Sequence, residues 1–385
     1  VQIDAATRRN LELTRSLSGG REGSLIDAID RTTTAGGGRL LERRISSPSR
    51  EVTTVQRRQD ATAWFVTQPD ICETVRNALR QCPDIQRALS RIAIGRGGPR
   101  DLAAIRNALA RLPELSALLT QEAPKFVRSW TKELAGFENL SDLLERALVA
   151  EPPLLARDGG FIAQGFDVEL DEARQLRDDG RGVVAGYQSD YASETGVASL
   201  KIKHNNVLGY FIETTATHAE KMLSSPLSER FIHRQTTANA VRFTTVELSD
   251  IETKILNAGA RALDLEKSLY ERLSDAILEQ TGPLGAAALS LAELDFATAF
   301  ATIARAEDWC RPQVDESRAF HVVGGRHPVV EKALKAEGGT PFIANDCVLS
   351  ADEGASIWLL TGPNMAGKST FLRQNALIAL LAQAG

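Results

Sequence analysis

The sequence predicts a mainly α, multidomain protein: a helical core and lever region carrying an inserted small β-rich module, followed by the start of an α/β domain built on a phosphate-binding loop. Three observations predict it. Apolar residues recur at three- and four-residue spacing through 1–151 and again through 246–311, the period of amphipathic helices. Between these regions, the basic stretch 199–245 opens with apolar and charged residues alternating at a period of two. Near the C-terminus, Gly362–Ser369 spells G-x-x-x-x-G-K-S between a short apolar run and a helical pattern.

The chain has 385 residues, 43% hydrophobic and 25% charged, with a net charge of -5 at pH 7. That length exceeds one ordinary domain, and the apolar content suffices for a sizeable core. The acidic balance argues against a uniformly basic nucleic-acid binder, so any such contact has to come from a local patch. Cys72, Cys82, Cys310 and Cys347 lie far apart without C-x-x-C spacing. This argues against a zinc site or disulfide framework and for buried thiols in a reducing compartment. Apolar runs are interrupted before twenty residues, so no membrane span is expected. The chain opens on Val1 with neither an initiator methionine nor a signal-like segment, and a missing natural N-terminus is expected.

In chain order, "DAATRRNLEL", "GSLIDAIDRTTTAGGGRLLERRI", "VQRRQDATAWFV", "ICETVRNALRQCPDIQRALSRIAIG" and "PRDLAAIRNALARLPELSALL" read as helices. Pro48, Pro69, Pro83, Pro99, Pro113, Pro124 and Pro152-Pro153 separate them. Asp158-Gly159 between two apolar pieces is a hairpin signal, and Val168 to about Gly196 reads as an acidic helix. "SLKIKHNNVLGYFIETT" sets Leu200 and Ile202 against Lys201 and Lys203, turns at Asn205-Asn206, and returns through Val207 to Ile212 as a β-hairpin. Within 199–245, Lys201, Lys203, Lys221, Arg230, Arg234 and Arg242 stand against only Glu213, Glu220 and Glu229. This is the local basic patch that the net charge conceals.

From Thr245 to Gln280, apolar residues at helical spacing from Leu248 to Leu273 predict one helix of roughly 54 Å at 1.5 Å per residue. Such a helix is a lever, which with the acidic helix would hold the basic module away from the core. "LSLAELDFATAFATIARAEDW" gives a further helix, ended by Pro312, and "RAFHVVGGRHPVV", "FIANDCVLS" and "SIWLLTG" read as shorter β-like pieces. His327 of "GRHP" is read as structural, in a proline-following turn.

Ile357, Trp358, Leu359 and Leu360 suit a buried strand leading into the phosphate loop. Gly362 and Gly367 let backbone N–H groups point at phosphate oxygens, Lys368 reaches the β and γ phosphates, and the Ser369 hydroxyl ligates magnesium. Pro363, Asn364, Met365 and Ala366 complete the loop, and Thr370 begins the helix whose positive end faces the anion.

The order of parts and the wording of "DAATRRNLEL", "DRTTTAGGGRLL", "PRDLAAIRNAL", "LKIKHNNVLGYFIE", "FIHRQTTANAVRFTTVEL", "LAELDFATAFA", "GRHPVV", "PFIAND" and "TGPNMAGKSTFLRQNALIALLAQAG" carry a resemblance over essentially the whole chain. It resembles the MutS family of DNA mismatch-repair ATPases, in wording the bacterial members. The resemblance implies a homodimeric DNA clamp that binds mismatched double-stranded DNA, uses ATP and Mg2+, and recruits a MutL-type partner. Its domains would be core and lever at 1–181 and 246–311, clamp at 182–245, and the first part of the ATPase domain at 312–385. Asn205 and Asn239 fall where the family places clamp contacts to the DNA backbone, with Arg234 and Lys201 or Lys203 nearby. Contacts of that kind position a duplex without reading its sequence. Ala238 stands where many relatives carry lysine, a departure that bears on one expected phosphate contact.

In the ATP site, the resemblance matches Phe342 to the residue that packs on the adenine ring, with the Ile343 backbone beside it. Asn364 would help hold the γ phosphate or the attacking water. Ala366 replaces a glycine found in many relatives. The implied location is the bacterial cytoplasm at the nucleoid, with an organellar origin left open, and no membrane partner. No Asp or Glu follows Glu353. The carboxylates that hold magnesium and activate water are therefore expected outside the chain, an internal fragment unable to hydrolyse ATP efficiently alone. The alternative reading is a MutS-like ATPase that binds branched nucleic acid without mismatch specificity. A small-molecule kinase or generic NTPase is disfavoured by the long run of helix and basic hairpin before the loop.

Overall fold

Most of the early helices begin where the sequence places a short polar residue or a proline. The computed structural model describes residues 3–119, 122–205, 207–349, 357–363 and 366–385, without the side chain of Arg181. Asp4, Ser24 and Thr34 cap α1 (Ala5–Asn10), α2 (Leu25–Ile29) and α3 (Ala35–Ser46), each accepting from a first-turn N–H. There follow α4 (Val52–Thr67), α5 (Pro69–Arg80), α6 (Ile85–Ala93), α7 (Pro99–Leu109), α8 (Leu112–Leu118), α9 (Lys125–Glu133) and α10 (Glu138–Ala147). Pro69 and Pro113 lie in first turns, where a missing N–H breaks no helical hydrogen bond.

A 3-10 turn (Ala156–Asp158) leads to α11 (Val168–Asp178), α12 (Gly180–Thr195), β1 (Lys201–Asn205), β2 (Gly209–Thr214), α13 (Ala216–Met222), α14 (Leu227–Arg230), β3 (Ile232–Thr236) and β4 (Val241–Thr244). The chain continues through α15 (Val246–Leu278), α16 (Thr281–Ala306), β5 (His321–Gly325), α17 (Pro328–Ala336), β6 (Asn345–Val348) and α18 (Lys368–Ala384). It divides into two compact units, one of Val1–Gly97, Ala104–Asp142 and Ile277–Gly385, the other of Gly98–Ala103 and Leu143–Ala276.

The first unit is organised on α16, against which α3, α4, α5, α6 and α9 pack. Among the described residues α16 is the helix long and apolar enough to cross a membrane, yet 72% of its most apolar window is buried within the protein. A helix apolar all round is the expected centre of a helical core. Its buried Asp295 accepts from the N–H and hydroxyl of Thr33, both at 2.9 Å, and from those of Thr34 at 2.7 and 2.6 Å. The Thr34 hydroxyl also caps α3 by accepting from Gly37 N at 2.9 Å. The separated stretches "TTTAGGG" and "LAELDFATAFA" are therefore one structural feature. Beside it, buried Arg44 bonds Glu293 at 2.6 Å and lies 4.3 Å over the Phe296 ring, and burial pulls its guanidinium down to about 10.

In the second unit, α11, α12 and α15 accompany a four-stranded antiparallel sheet of order β1-β2-β4-β3. The expected acidic helix is two helices, because Asp179 ends α11 and caps α12 through Gly182 N. Gly196, at φ 65, closes α12 in the left-handed conformation that glycine adopts without steric cost. The hairpin expected at Asp158-Gly159 is reduced to one bridge, Leu148 with Ile162, because the intervening chain winds into the 3-10 turn. Buried Glu266 on α15 accepts from Arg174 at 2.6 Å, and Arg174 also donates to Ile162 O at 3.0 Å, tying that loop to two helices. At 33 residues α15 is about 50 Å long, close to the predicted lever.

The strand expected at 357–360 does not form. Ile357 is 90% and Leu359 87% exposed, and neither belongs to a strand. An internal parallel strand is made by neighbours on both sides, and among the described residues β5 and β6 pair only with each other. Where the start of an α/β domain is expected, the described residues form the antiparallel β5–β6 pair, α17, and a loop leading into α18.

Candidate functional site

The sheet of the second unit has two chemically different faces. Ile202, Ile212, Val241 and Phe243 bury one face against Tyr191, Met222, Phe231 and Leu248. Period-two alternation sends Lys201, Lys203, Glu213 and Arg242 to the other. There, Glu213 accepts from Lys203 at 2.6 Å and from Arg242 at 3.1 Å. The bond from Lys203 is the main reason its carboxyl is held below the usual range, with Arg242 adding to it. Arg242 also lies 4.6 Å over the Phe211 ring and donates to Gln235 at 2.9 Å. Among the described residues the side chains of Lys201 and Arg234 have no ion-pair or hydrogen-bond partner. Arg234 sits at the bulge of edge strand β3, which re-aims its side chain.

Two members of the predicted basic patch serve the fold. Lys221 donates to Thr195 O at 2.7 Å at the end of α12, and Arg230 pairs with Glu194 at 2.8 Å and Glu247 at 3.4 Å. The predicted asparagines are not brought together. Asn205 precedes the β1–β2 turn, and its side-chain oxygen accepts from Val207 N at 2.9 Å and Leu208 N at 2.7 Å. Asn239 is exposed in the 237–240 turn at the opposite end of the sheet, which Thr237 closes by donating to Ala240 O at 2.8 Å. The six residues of β2 separate the two ends by about 17 Å. Asn206 lies outside the described residues, and Ala238 is exposed beside Asn239.

The second candidate site is the loop before α18. Gly367 is the N-cap of that helix at φ 80, and Gly362 adopts φ 148, conformations that favour glycine. The helix begins at Lys368, two residues before the predicted Thr370, and no side chain caps its first-turn N–H groups. Those donors and the helix dipole make a place for an anion. Lys368 Nζ donates to Gly362 O and, at 3.1 Å, to Pro363 O, so the ammonium is folded onto its own loop. Ser369 and Ala366 are exposed, Thr370 is partly buried, and Asn364 and Met365 lie outside the described residues.

The loop is mounted on a well-anchored helix. Leu377 and Leu380 enter the core with Leu40, Leu41 and Phe296. Arg373 bonds Glu12 at 3.1 Å, and Gln59 and Arg58 donate to the carbonyls of Ala382 and Ala384 at 3.2 and 3.3 Å. Trp358 stacks on Phe371 with centroids 6.5 Å apart. Phe342 is half-buried just before β6, and Ile343 is exposed with its carbonyl accepting from Asn345 at 2.9 Å. His327 is the N-cap of α17, its Nδ1 accepting from Val330 N at 3.4 Å. Among the described residues no group of three or more His, Cys, Asp or Glu is placed to hold a metal ion. At the loop, the first-turn N–H groups of α18, the Lys368 ammonium and the exposed Ser369 hydroxyl are donors of the kind that suit an anion.

The ion-pair role of Glu213 was missed by sequence reasoning. Its signal was available in the alternation that puts Glu213 on the face of Lys201 and Lys203, but its pairing with Arg242 depends on the register of β2 with β4.

A family model described as MutS domain III matches residues 6–301, and one described as MutS domain V matches 358–385. The chain is 66% identical, over its whole length, to proteins called DNA mismatch repair protein MutS from a Ruegeria species and from Dinoroseobacter shibae, and 63% identical to that of Paracoccus denitrificans. It spans 44% of the length of each of these relatives.

Proposed function

The chain belongs to the MutS family, and from that premise we propose that it supplies the core, clamp and phosphate loop of a DNA mismatch-repair protein that acts as an ATP-dependent sliding clamp. The relatives are named for mismatch repair. The observation that carries the DNA reading is the largely cationic sheet face, with Lys201 and Lys203 on β1, Arg242 on β4 across the intervening strand β2, and Arg234 on the edge strand β3. Such a face binds phosphates through charge and accepts any sequence. Asn239 extends the contact at one end of the sheet. The side-chain oxygen of Asn205 is committed to its turn, so the amide nitrogen is what it would offer to DNA.

At the phosphate loop, the first-turn N–H groups of α18 would hold phosphate oxygens, and Lys368 would exchange the carbonyls of Gly362 and Pro363 for the β and γ phosphates. Ser369 would hold magnesium, and Phe342 and the Ile343 backbone would receive the adenine. Bound ATP and magnesium would supply the free energy that switches the clamp, with hydrolysis completed by carboxylates of the whole protein in a homodimer. A MutL-type partner would follow, in the bacterial cytoplasm at the nucleoid.

The test compares a G·T-mismatched duplex with its matched counterpart on the whole protein. The proposal expects at least several-fold tighter binding to the mismatch. Equal affinity would overturn it, and preference for a branched duplex instead would support the MutS-like alternative.

A further inference from the structure

We propose that Glu213 limits the affinity of the sheet face for a phosphate backbone by holding Lys203 and Arg242 in cross-strand ion pairs. The inference rests on the reading of this face as the one that meets DNA. Each carboxylate oxygen of Glu213 takes one cation, Oε1 from Lys203 at 2.6 Å and Oε2 from Arg242 at 3.1 Å. Its side chain is 18% exposed and that of Lys203 51%, so an approaching phosphate meets the ammonium first and the carboxylate beneath it. Arg242 is fixed further by the Phe211 ring and by Gln235.

The consequence concerns competition. A phosphate that binds an unpaired lysine displaces only water and counterions, whereas one that binds Lys203 or Arg242 competes with a carboxylate already in place. Lys201, which stands opposite Glu213 in the register without bonding it, and Arg234 have no side-chain partner among the described residues, so a phosphate engages them without breaking an ion pair. The ion-paired couple adds a weaker contribution, and the face holds a duplex loosely enough to move along it. Glu213 is in this sense a positioning residue that acts through its two partners.

The experiment uses the whole protein and a matched duplex, with affinity followed against salt. Glu213→Gln keeps the size of the side chain and removes the charge. It is expected to tighten binding about fivefold at low salt, the effect of removing one carboxylate near several phosphates. It should also steepen the slope of log K against log salt by about one unit per newly engaged phosphate. Glu213→Asp keeps the charge and should behave as the parent. Lys203→Ala should cost more in the Glu213→Gln background than alone, because the two residues are coupled. Unchanged or weaker binding by Glu213→Gln, while Lys201→Ala and Lys203→Ala still weaken binding, overturns the role of Glu213 alone. Binding indifferent to all of these changes overturns both the proposal and the assignment of the face to DNA.

Discussion

The carboxylate of Asp295 occupies the space that a side chain on Gly37 would need: a Cβ built on Gly37 lies 2.6 Å from Asp295 Cγ. Only glycine lets α3 approach α16 closely enough for Thr33 and Thr34 to donate to that buried carboxylate. Gly37→Ala should therefore destabilise the protein by about 3 kcal/mol, at the upper end of overpacking costs. Asp295→Ala should cost about 3 kcal/mol or more by leaving buried donors unsatisfied. Urea unfolding of the double variant should show less than the summed loss, because each change removes part of the reason for the other. Additive losses would mean the two residues do not share the site.

His327 gives the fold a pH dependence near neutrality. Burial, with Arg373 nearby, depresses the folded-state pKa of its imidazole below the ordinary 6.5. The unfolded chain therefore takes up the proton first as pH falls, so the contribution is complete above pH 6.5 and is lost as pH falls through the depressed folded value. Protonation also removes the Nδ1 acceptor that caps α17. His327→Asn, which retains a capping oxygen, should flatten this part of the stability profile. A profile unchanged by the substitution would place the pH dependence elsewhere.

Lys368→Ala in the whole protein should abolish ATP binding while leaving nucleotide-free DNA binding largely intact. Trp358, stacked on Phe371 only three residues beyond Lys368, offers an intrinsic fluorescence reporter of nucleotide at the loop. Titration with ATP should change Trp fluorescence in the parent and not in the variant. Unchanged nucleotide affinity in the variant would remove Lys368 from its proposed role.

Local periodicity made much of this molecule readable in advance. The alternation around Lys201 and Lys203 gave the hairpin, the apolar spacing from Leu248 to Leu273 gave α15, and the glycines and lysine of the loop gave the start of α18 to within two residues. What was not readable depended on contacts distant in sequence. Leu359 looks like a strand residue because it is apolar, but strands are completed by partners, and the described residues provide none. Glu213 looks like an unremarkable acid until β4 brings Arg242 beside it. Asn205 and Asn239 each read as a clamp contact, but that antiparallel pairing places them at opposite ends of the sheet depends on strand register.

In the proposed switch, nucleotide at the loop turns a DNA-bound clamp into one free to slide. Its most direct measurement follows dissociation of the whole protein from a G·T-mismatched duplex after ATP is added, with the duplex ends open in one sample and blocked in another. Prompt loss from open-ended DNA and retention on blocked DNA are expected, with Lys368→Ala retained on both. Loss at the same rate from open and blocked DNA would contradict it.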